Sequence, residues 1–362
     1  MKTTKGEIDM GYPRMKIDSQ IIKNNVKTVV GICEKQGVKV AGVTKVFCSN
    51  KELVQVYIDG GVSYLADSRI ENIIRMKDFD LPKIMLRLPM ISEADKIVEY
   101  ADISLNSEID TIKAISEKAI EKNKIHKIIL MLDLGDLREG YYDDESLFEC
   151  IEEIMKLKGV KLAGLGTNLT CYGGVIPTRE ILNKLHSLEK EIEEKYNIEL
   201  EIISGGNSST IYLLEEDKVD GVNNVRLGET LILGTESAYG KQIEGTSKDG
   251  FTLQVEVIEV KEKPSLPTGE IGRDAFGNIP TFTDRGVRKR ILCAVGKQDV
   301  DFGTLYPLDE KIIILGGSSD HIILDGSDSD VDYKVGDIIE FRMHYVSILR
   351  AMTSEYITKE II

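Results

Sequence analysis

Eight short apolar runs alternate with longer amphipathic segments over about residues 10–235. The runs are residues 38–43, 62–66, 83–88, 101–105, 127–132, 160–164, 199–203 and 222–225. Helix-like stretches lie between many of them, at residues 17–36, 51–59, 107–123, 144–157 and 178–196. This alternation predicts a parallel sheet, and eight units predict a TIM-like (β/α)8 barrel, whose usual size is ~250 residues. A doubly wound open sheet is the alternative, but no G-x-G-x-x-G pattern follows the first run.

The pattern changes after about residue 235. The segment G-F-T-L-Q-V-E-V-I-E-V-K (250–261) alternates with period two, which is typical of a half-buried antiparallel strand. More β-like runs follow at residues 289–295, 311–315, 322–324 and 337–341, and residues 264–286 read as a long loop. We therefore expect a barrel domain at residues 10–235 and a C-terminal β-rich domain at 236–362, with residues 1–9 as a candidate addition to the latter.

The composition excludes several classes of partner. The chain carries 46 Lys and Arg against 61 Asp and Glu, a net charge of -15, which argues against a nucleic-acid partner. Its 5 cysteines are odd in number and lack C-x-x-C spacing, so neither a disulfide framework nor a metal site is expected. The first ten residues have no apolar core, and no apolar run reaches the ~20 residues of a membrane span. We expect a cytoplasmic protein with a small-molecule substrate.

A lysine stands at the carboxyl end of the first predicted barrel strand, in A-G-V-T-K-V-F-C-S-N (41–50). Barrel enzymes carry their active-site groups at the carboxyl ends of the strands. An amine placed there can be desolvated, which lowers its pKa and allows it to form a Schiff base. The plain structural alternative for Lys45 is a solvated surface lysine.

Other strand ends carry compatible groups. The fifth strand is followed by L-D-L-G-D-L-R-E-G, which presents Arg138, and the sixth by G-L-G-T-N-L-T-C-Y-G-G, which presents Asn168 and Thr170. The eighth ends in V-R-L-G-E-T, which presents Arg226 and the backbone of Gly228 and Glu229. Each arginine alone could be an ordinary ion-pair residue, and Arg138 in particular has Asp136 and Glu139 beside it. Their joint placement on one rim favours an anionic ligand.

The seventh predicted strand ends in S-G-G-N-S-S-T (204–210), a turn of small residues before a helix. Glycines allow close backbone approach, and hydroxyl groups and helix-start N–H groups donate hydrogen bonds to an anion such as phosphate. An ordinary helix cap is the structural alternative. Together with a lysine and two arginines, this turn suits pyridoxal 5'-phosphate better than a free sugar phosphate.

Seven segments carry a resemblance to a known family over nearly the whole chain. They are V-T-K-V-F-C-S-N, Y-L-A-D-S-R-I-E-N, G-T-N-L-T-C-Y-G-G-V-I-P-T, S-G-G-N-S-S-T, V-R-L-G-E-T, A-V-G-K-Q-D-V and L-G-G-S-S-D-H-I-I-L-D. On these segments the chain resembles the alanine racemase-like, fold-type III family of pyridoxal-phosphate enzymes. The resemblance implies a barrel followed by a β domain, and a head-to-tail homodimer.

The resemblance also implies roles for individual residues. Lys45 would hold the cofactor covalently, and Arg226 would face the pyridine nitrogen. Arg138 would approach the ring oxygen or the substrate carboxylate. Ser208 and the amides of Gly228 and Glu229 would bind the phosphate. Ser49 falls where the family has a phosphate-binding tyrosine.

The implied reaction is racemisation of an amino acid by two groups that exchange the Cα proton, with ornithine as the expected substrate. Lys45 is the natural base for one face. The family's second base is a tyrosine in G-Y-A-D-G, but this chain has G-K-Q-D-V, so Lys297 and His321 are the candidates for the other face. Asp320 is the candidate that binds the distal amine of the substrate, with Asp299 and Glu355 as weaker candidates.

Three other functions stay open at this point. One is a racemase of alanine, lysine or serine with a different side-chain pocket. Another is a basic amino-acid decarboxylase of the same architecture, although the chain has neither the E-P-G-R segment at the eighth strand nor the cysteine in the S-S-D-H loop that those enzymes use. The third is a non-catalytic cofactor carrier, which resembles the barrel alone.

Overall fold

The computed structural model describes residues 11–217, 219–274 and 276–362. The chain forms two compact units, one spanning Ser19–Lys248 and the other containing Asp249–Ile362 together with the described residues up to Asp18. The predicted fold class is confirmed by the structure. Residues 1–9, the candidate addition to the β-rich domain, lie outside the described residues.

The larger unit is a closed parallel barrel. Within the described residues, eight strands pair in chain order and the last pairs with the first. With strands numbered along the chain from β1 (Arg14–Ile17), which lies in the other unit, they are β2 (Lys39–Val43), β3 (Tyr64–Asp67), β4 (Lys83–Met85), β5 (Ile103–Asn106), β6 (His126–Leu132), β7 (Val160–Thr167), β8 (Ile202–Ser204) and β9 (Asn224–Leu227). Each of the eight predicted runs therefore overlaps one barrel strand.

Helices follow the strands around the outside, as the amphipathic stretches predicted. They are α1 (Ser19–Lys35), α2 (Lys51–Asp59), α3 (Ile70–Arg75), α4 (Ala94–Tyr100), α5 (Ile109–Glu121), α6 (Asp144–Ile154), α7 (Arg179–Tyr196), α8 (Ile211–Glu216) and α9 (Glu229–Leu233). Side-chain caps fix where several begin. Asn50 accepts hydrogen bonds from the first-turn amides of α2, and Thr178 caps α7 in the same way.

The alternation of side chains along each strand divides the apolar core of the barrel unit into an inner cluster and a helix-facing cluster. Ile129 and Met131 of β6 pack with residues of the other strands, such as Ala41 and Ile202, in a cluster that fills the barrel. Their neighbours Ile128 and Leu130 belong to a second cluster, formed with residues of α4–α7. Successive side chains of a strand point to opposite faces, so an apolar run without alternation is the pattern of a strand buried on both sides.

The smaller unit is a mainly antiparallel sheet. Its elements are β1, β10 (Phe251–Pro264), β11 (Val287–Cys293), β12 (Leu305–Pro307), β13 (Ile313–Gly317), β14 (Ile322–Asp325), β15 (Ile338–Met343), α10 (Tyr345–Thr353) and β16 (Thr358–Ile361). The sheet runs in the order β12-β15-β10-β11-β14-β13, and β1 pairs with both β10 and β16. In the described part of residues 265–286 there is neither helix nor strand, in line with the predicted loop.

The unit boundaries differ from the predicted ones at both ends of the barrel. Strand β1 falls within the predicted barrel domain but pairs antiparallel with β10, so it belongs to the β-rich unit. The segment after residue 235 stays with the barrel. Asn25 of α1 donates a hydrogen bond to the Ser247 carbonyl at 2.7 Å and accepts one from the Ser247 amide at 2.8 Å. Long-range pairing, which the local pattern does not contain, sets both limits.

Among the helices of the described residues, none has the length and apolar character that a membrane span requires.

The first residue of β6, His126, is a buried histidine whose Nε2 atom lies 2.9 Å from Ser104 Oγ. Burial lowers the pKa of His126 from its ordinary 6.5 to about 4. The unfolded chain therefore takes up this proton at a higher pH than the folded chain does. Protonation of this histidine therefore favours the unfolded chain. The contribution of the neutral His126 to the free energy of unfolding is fully present above pH 6.5 and is lost as the pH falls towards 4.

We predict that the free energy of unfolding falls by up to about 3 kcal/mol across this window, and that His126→Gln flattens the slope. Urea unfolding at several pH values between 7.5 and 4.5 measures it. An equal slope in wild type and His126→Gln would contradict the assignment.

Candidate active site at the carboxyl ends of the barrel strands

Lys45 begins a single 3-10 turn directly after β2, and its side chain is exposed at the rim. Two hydroxyl groups anchor this turn to the next strand. Thr44 Oγ1 donates to Asp67 Oδ2 at 2.7 Å, and Ser49 Oγ lies 2.8 Å from Thr44 Oγ1. Burial raises the pKa of Asp67, and hydrogen bonds from Thr44 and Asn72 partly offset the rise. Ser49 is buried in this network, so in this structure its hydroxyl holds the lysine turn in place.

The loop after β6 closes on itself and presents Arg138 and Glu139. The Tyr141 amide donates to the Met131 carbonyl at 2.9 Å and the Asp133 amide to the Tyr141 carbonyl at 3.0 Å, so the two ends of the loop meet. Gly140 has a φ of +119, and a Cβ there would lie 2.6 Å from the carbonyl carbon of Leu132. Glycine is thus required where the returning chain crosses the end of β6.

A second loop, after β7, is tied to the first by one buried carboxylate. Asp136 accepts hydrogen bonds from the amides of Cys171, Tyr172 and Val175 at 3.0, 2.8 and 3.0 Å. Burial raises the pKa of Asp136, but these bonds outweigh it, and the pKa lies below its usual value. The two loops therefore form one assembly at the rim.

Arg226, on β9, is 4 % exposed, and its guanidinium is held by neutral acceptors. It donates to Ser204 Oγ at 2.6 Å, to the Thr167 carbonyl at 2.7 Å and to Asn168 Oδ1 at 2.7 Å. Burial lowers the pKa of Arg226 to about 10, against the opposing pull of the Glu139 charge. The side chain remains protonated at neutral pH.

Arg138 and Glu139 form a two-pronged ion pair. Arg138 Nε donates to Glu139 Oε2 and Nη2 donates to Oε1. These bonds raise the pKa of Arg138. Glu139 Oε1 also accepts a hydrogen bond from Asn168 Nδ2 at 2.5 Å. The polar chain Arg138–Glu139–Asn168–Arg226 thus joins the two arginines that the sequence predicted separately.

The predicted phosphate turn forms a compact cradle between β8 and α9. Asn207 caps the turn Ser208–Thr210, because its Oδ1 atom accepts a hydrogen bond from the Ser209 amide at 2.9 Å. Ser208 Oγ accepts a hydrogen bond from the Thr230 amide at 3.2 Å. This bond places the turn beside the segment that contains Gly228 and Glu229. Thr230 Oγ1 is buried, and among the described residues it has no hydrogen-bond partner. A buried hydroxyl without a partner is costly, so a donor is left for a ligand here.

Glu229 connects this cradle to the lysine turn electrostatically. Burial raises the pKa of Glu229, and the positive charge of Lys45 partly offsets the rise. Lys45, Arg138, Ser208, Arg226, Gly228 and Glu229 therefore all lie in loops or strand ends on the same rim of the barrel.

Lys297, Asp320 and His321 belong to the β-rich unit, where they share one loop cluster. The Lys297 amide donates to the Ser318 carbonyl at 3.0 Å, and Lys297 Nζ lies 4.0 Å from the centre of the Phe276 ring. His321 Nδ1 lies 3.0 Å from Asp320 Oδ1. Hydrogen bonds from Ser318 and His321 lower the pKa of the exposed Asp320 carboxyl.

The two weaker candidates for amine binding share a cavity in this unit. Asp299 and Glu355 line a space of about 330 Å³ together with Arg350 and Tyr356. Asp299 is 7 % exposed, and its Oδ1 atom accepts a hydrogen bond from Ser354 Oγ at 2.6 Å. The described part of this unit thus contains two candidate carboxylates for binding an amine, the exposed Asp320 and the buried Asp299.

Sequence reasoning missed three features of the rim. It left Glu139 as a neighbour of a surface arginine, it placed Ser204 in the phosphate turn rather than beside Arg226, and it gave Thr230 no role. The acidic residue next to Arg138 and the serine that ends β8 were visible signals. Their partners Asn168 and Arg226, however, are 29 and 22 positions away along the chain and come into contact with them only in the closed barrel.

Comparisons with known proteins show the family to which this chain is similar. Residues 17–236 match the family model described as alanine racemase, N-terminal domain. Ornithine racemase of Acetoanaerobium sticklandii is 49 % identical over 97 % of this chain and 100 % of its own length. Lysine racemase of Thermotoga maritima is 41 % identical over 97 % of this chain and 98 % of its own.

The fold also matches solved structures. A crystal structure of alanine racemase from Bartonella henselae with covalently bound pyridoxal phosphate aligns with a TM-score of 0.72 at 17 % identity, over 97 % of this chain and 100 % of that one. The chain belongs to the alanine racemase family.

The closed loop after β6 yields a stability prediction from two glycines. Gly135 and Gly140 both have positive φ, of +115 and +119, but a Cβ at Gly135 meets nothing within 4 Å. We expect Gly135→Ala to cost about 1 kcal/mol from backbone strain alone. Gly140→Ala should cost roughly 1–3 kcal/mol more, because it also forces a backbone clash. Urea unfolding of both variants measures the difference, and equal losses would refute the close approach.

Proposed function

We propose that this chain is a pyridoxal-phosphate-dependent racemase that interconverts L- and D-ornithine. The observation that carries the proposal is one barrel rim that gathers a lysine, two arginines and a hydroxyl-lined cradle. The 49 % identity to an ornithine racemase along nearly the whole chain supports the substrate. Lysine is the second candidate, because a lysine racemase is 41 % identical over a similar span.

The residues at the rim fit the cofactor. Pyridoxal phosphate needs an amine for its aldehyde carbon, donors for its phosphate and a partner for its ring nitrogen. Lys45 would supply the amine. Ser208, the partnerless hydroxyl of Thr230 and the amides of Gly228 and Glu229 would hold the phosphate. Arg226 would face the ring nitrogen, and Arg138 the ring oxygen or the substrate carboxylate.

The type of reaction follows from Arg226. Pyridoxal phosphate, when bound, draws electrons from Cα of an amino acid and so weakens its Cα–H bond. Arg226 can donate a hydrogen bond to a ring nitrogen but keeps its own proton at neutral pH, since its pKa is about 10. An aspartic acid in its place would transfer a proton and strengthen that withdrawal. The weaker withdrawal favours prompt return of the Cα proton, and hence racemisation over transamination.

Two groups must exchange that proton, one on each face of Cα. We assign Lys45 to one face. Lys297 and His321 are the candidates for the other. The hydrogen bond between His321 Nδ1 and Asp320 would fix the ring and leave Nε2 as the proton-exchanging atom. The family resemblance and the composition support a cytoplasmic homodimer.

Heavy-water exchange tests the function. The protein is loaded with pyridoxal phosphate and given L-ornithine in heavy water, and the products are separated by chiral chromatography and weighed by mass spectrometry. We expect D-ornithine with one deuterium, without putrescine or keto acid. Lys45→Ala should abolish both this exchange and the visible absorbance of bound cofactor. The matched control is Lys51→Ala, which removes only an exposed pair with Asp78 and should retain both.

Other outcomes separate the alternatives. Putrescine would identify a decarboxylase, and cofactor bound at Lys45 without turnover of ornithine, lysine, alanine or serine would identify a carrier. Deuterium exchange with lysine and none with ornithine would identify lysine as the substrate. Activity retained in Lys45→Ala would remove the assigned base.

The carboxylate that binds the distal ammonium is tested by a pair of variants. We expect Asp320→Asn to raise KM for ornithine about 10-fold or more, because a hydrogen bond to a charged group is lost. Asp299→Asn should leave KM nearly unchanged. The reverse pattern would assign the recessed carboxylate, and a fall in kcat alone for Asp320→Asn would assign Asp320 to the orientation of His321.

A further inference from the structure

Glu139 is connected to both arginines of the rim, to Arg138 directly and to Arg226 through Asn168. Arg138 donates to both of its carboxylate oxygens, and Asn168 Nδ2 donates to Oε1 at 2.5 Å. The side chain of Glu139 is 14 % exposed, whereas that of Arg138 is 42 % exposed. The carboxylate is thus the recessed partner of the pair, and the guanidinium reaches outward from it.

Arg226 has no carboxylate within ion-pair distance among the described residues. Its three side-chain contacts are the oxygens of Ser204, Thr167 and Asn168. A buried charge is strongly unfavourable unless an opposite charge or several hydrogen bonds compensate it. The negative charge of Glu139 is the main influence that opposes the lowering of the Arg226 pKa by burial.

Asn168 connects these two groups in a single orientation. Its Oδ1 atom accepts from Arg226 at 2.7 Å, and its Nδ2 atom donates to Glu139 at 2.5 Å. The amide dipole therefore has its negative end towards the guanidinium and its positive end towards the carboxylate. Each contact polarises the amide in the sense that strengthens the other.

We propose that Glu139 is a positioning residue that orients Arg138 directly and stabilises the charge of Arg226 through Asn168. In this role Glu139 would act through Arg138 and Asn168, the two residues to which it is hydrogen-bonded. The part that concerns turnover rests on the proposed function. The part that concerns Arg226 is a property of the chain alone.

In this role Glu139 links the binding of the substrate carboxylate to the pKa of Arg226, two properties that would otherwise vary independently. A change at Glu139 should weaken the grip on the substrate carboxylate, through Arg138, and at the same time lower the pKa of Arg226. A residue that merely supported the loop would affect folding stability and leave the titration of Arg226 where it was.

The first measurement uses the protein without cofactor. The Cζ carbons of its arginines are labelled with carbon-13 and titrated by NMR between pH 8.5 and 11.5, and the Arg226 signal is identified with Arg226→Lys. In the wild-type protein we expect a midpoint near pH 10. Glu139→Gln should lower it by about 1 pH unit, and Glu139→Asp should restore most of the shift because the charge is retained.

The matched control is Glu149→Gln, which removes an exposed carboxylate from α6. It should leave the midpoint unchanged. Asn168→Ala serves as the second variant, since it breaks the connection to Arg226 and keeps the Arg138–Glu139 pair. It should lower the midpoint as well. Thermal unfolding of each variant confirms that the comparison is between folded proteins.

The second measurement is racemisation by the cofactor-loaded protein. We expect kcat/KM to fall roughly 10- to 100-fold in Glu139→Gln and to recover in part in Glu139→Asp, in line with the loss of a charge-assisted pair. An unmoved Arg226 midpoint, or kcat/KM equal to that of Glu149→Gln, would overturn the inference. A wild-type protein that racemises no amino acid while the midpoint still moves would instead sink the proposed function.

Discussion

Closure of the parallel barrel is the constraint on which the rest of the structure depends. Strand β9 pairs with β2, with Arg226 opposite Ala41, so the ends of all eight described strands meet on one rim. Residues that are about 180 positions apart along the chain, such as Lys45 and Arg226, can then serve one ligand. The apolar cluster inside the barrel and the helix-facing cluster outside it supply the burial that makes this closure favourable.

The rim is ordered by its own polar contacts rather than left to the ligand. Asp136 clamps the loop after β7, Asp67 holds the lysine turn, and Glu139 pairs with Arg138. Each of these carboxylates stands beside a residue assigned to binding or proton transfer. Burial makes such contacts stronger and also makes the loss of one partner expensive. The same groups therefore stabilise the loops and determine the charge distribution at the rim.

How much of this could be read from the sequence depended on the range of the interaction. Strand periodicity and strand ends are local, so the barrel and the placement of Lys45, Arg138 and Arg226 were predictable. The link between Glu139 and Asn168 was not, because it needs the backbone reversal at Gly140, whose φ is +119. The predicted domain limits differ from those of the two units for a similar reason. Strand β1 belongs to the β-rich unit because it pairs with β10 and β16, and the local sequence pattern does not indicate that pairing.

The β-rich unit bears on the choice between enzyme and carrier. A carrier needs only the lysine and the phosphate cradle of the barrel. This chain has, in addition, a histidine next to an aspartate and a lysine ammonium 4.0 Å from an aromatic ring, all held by contacts between two loops of the second unit. An aromatic face attracts a cation, so the Phe276 ring holds the ammonium group of Lys297 in place. Lys297 and His321 therefore have fixed settings within the second unit, which a carrier that consists of the barrel alone would not need.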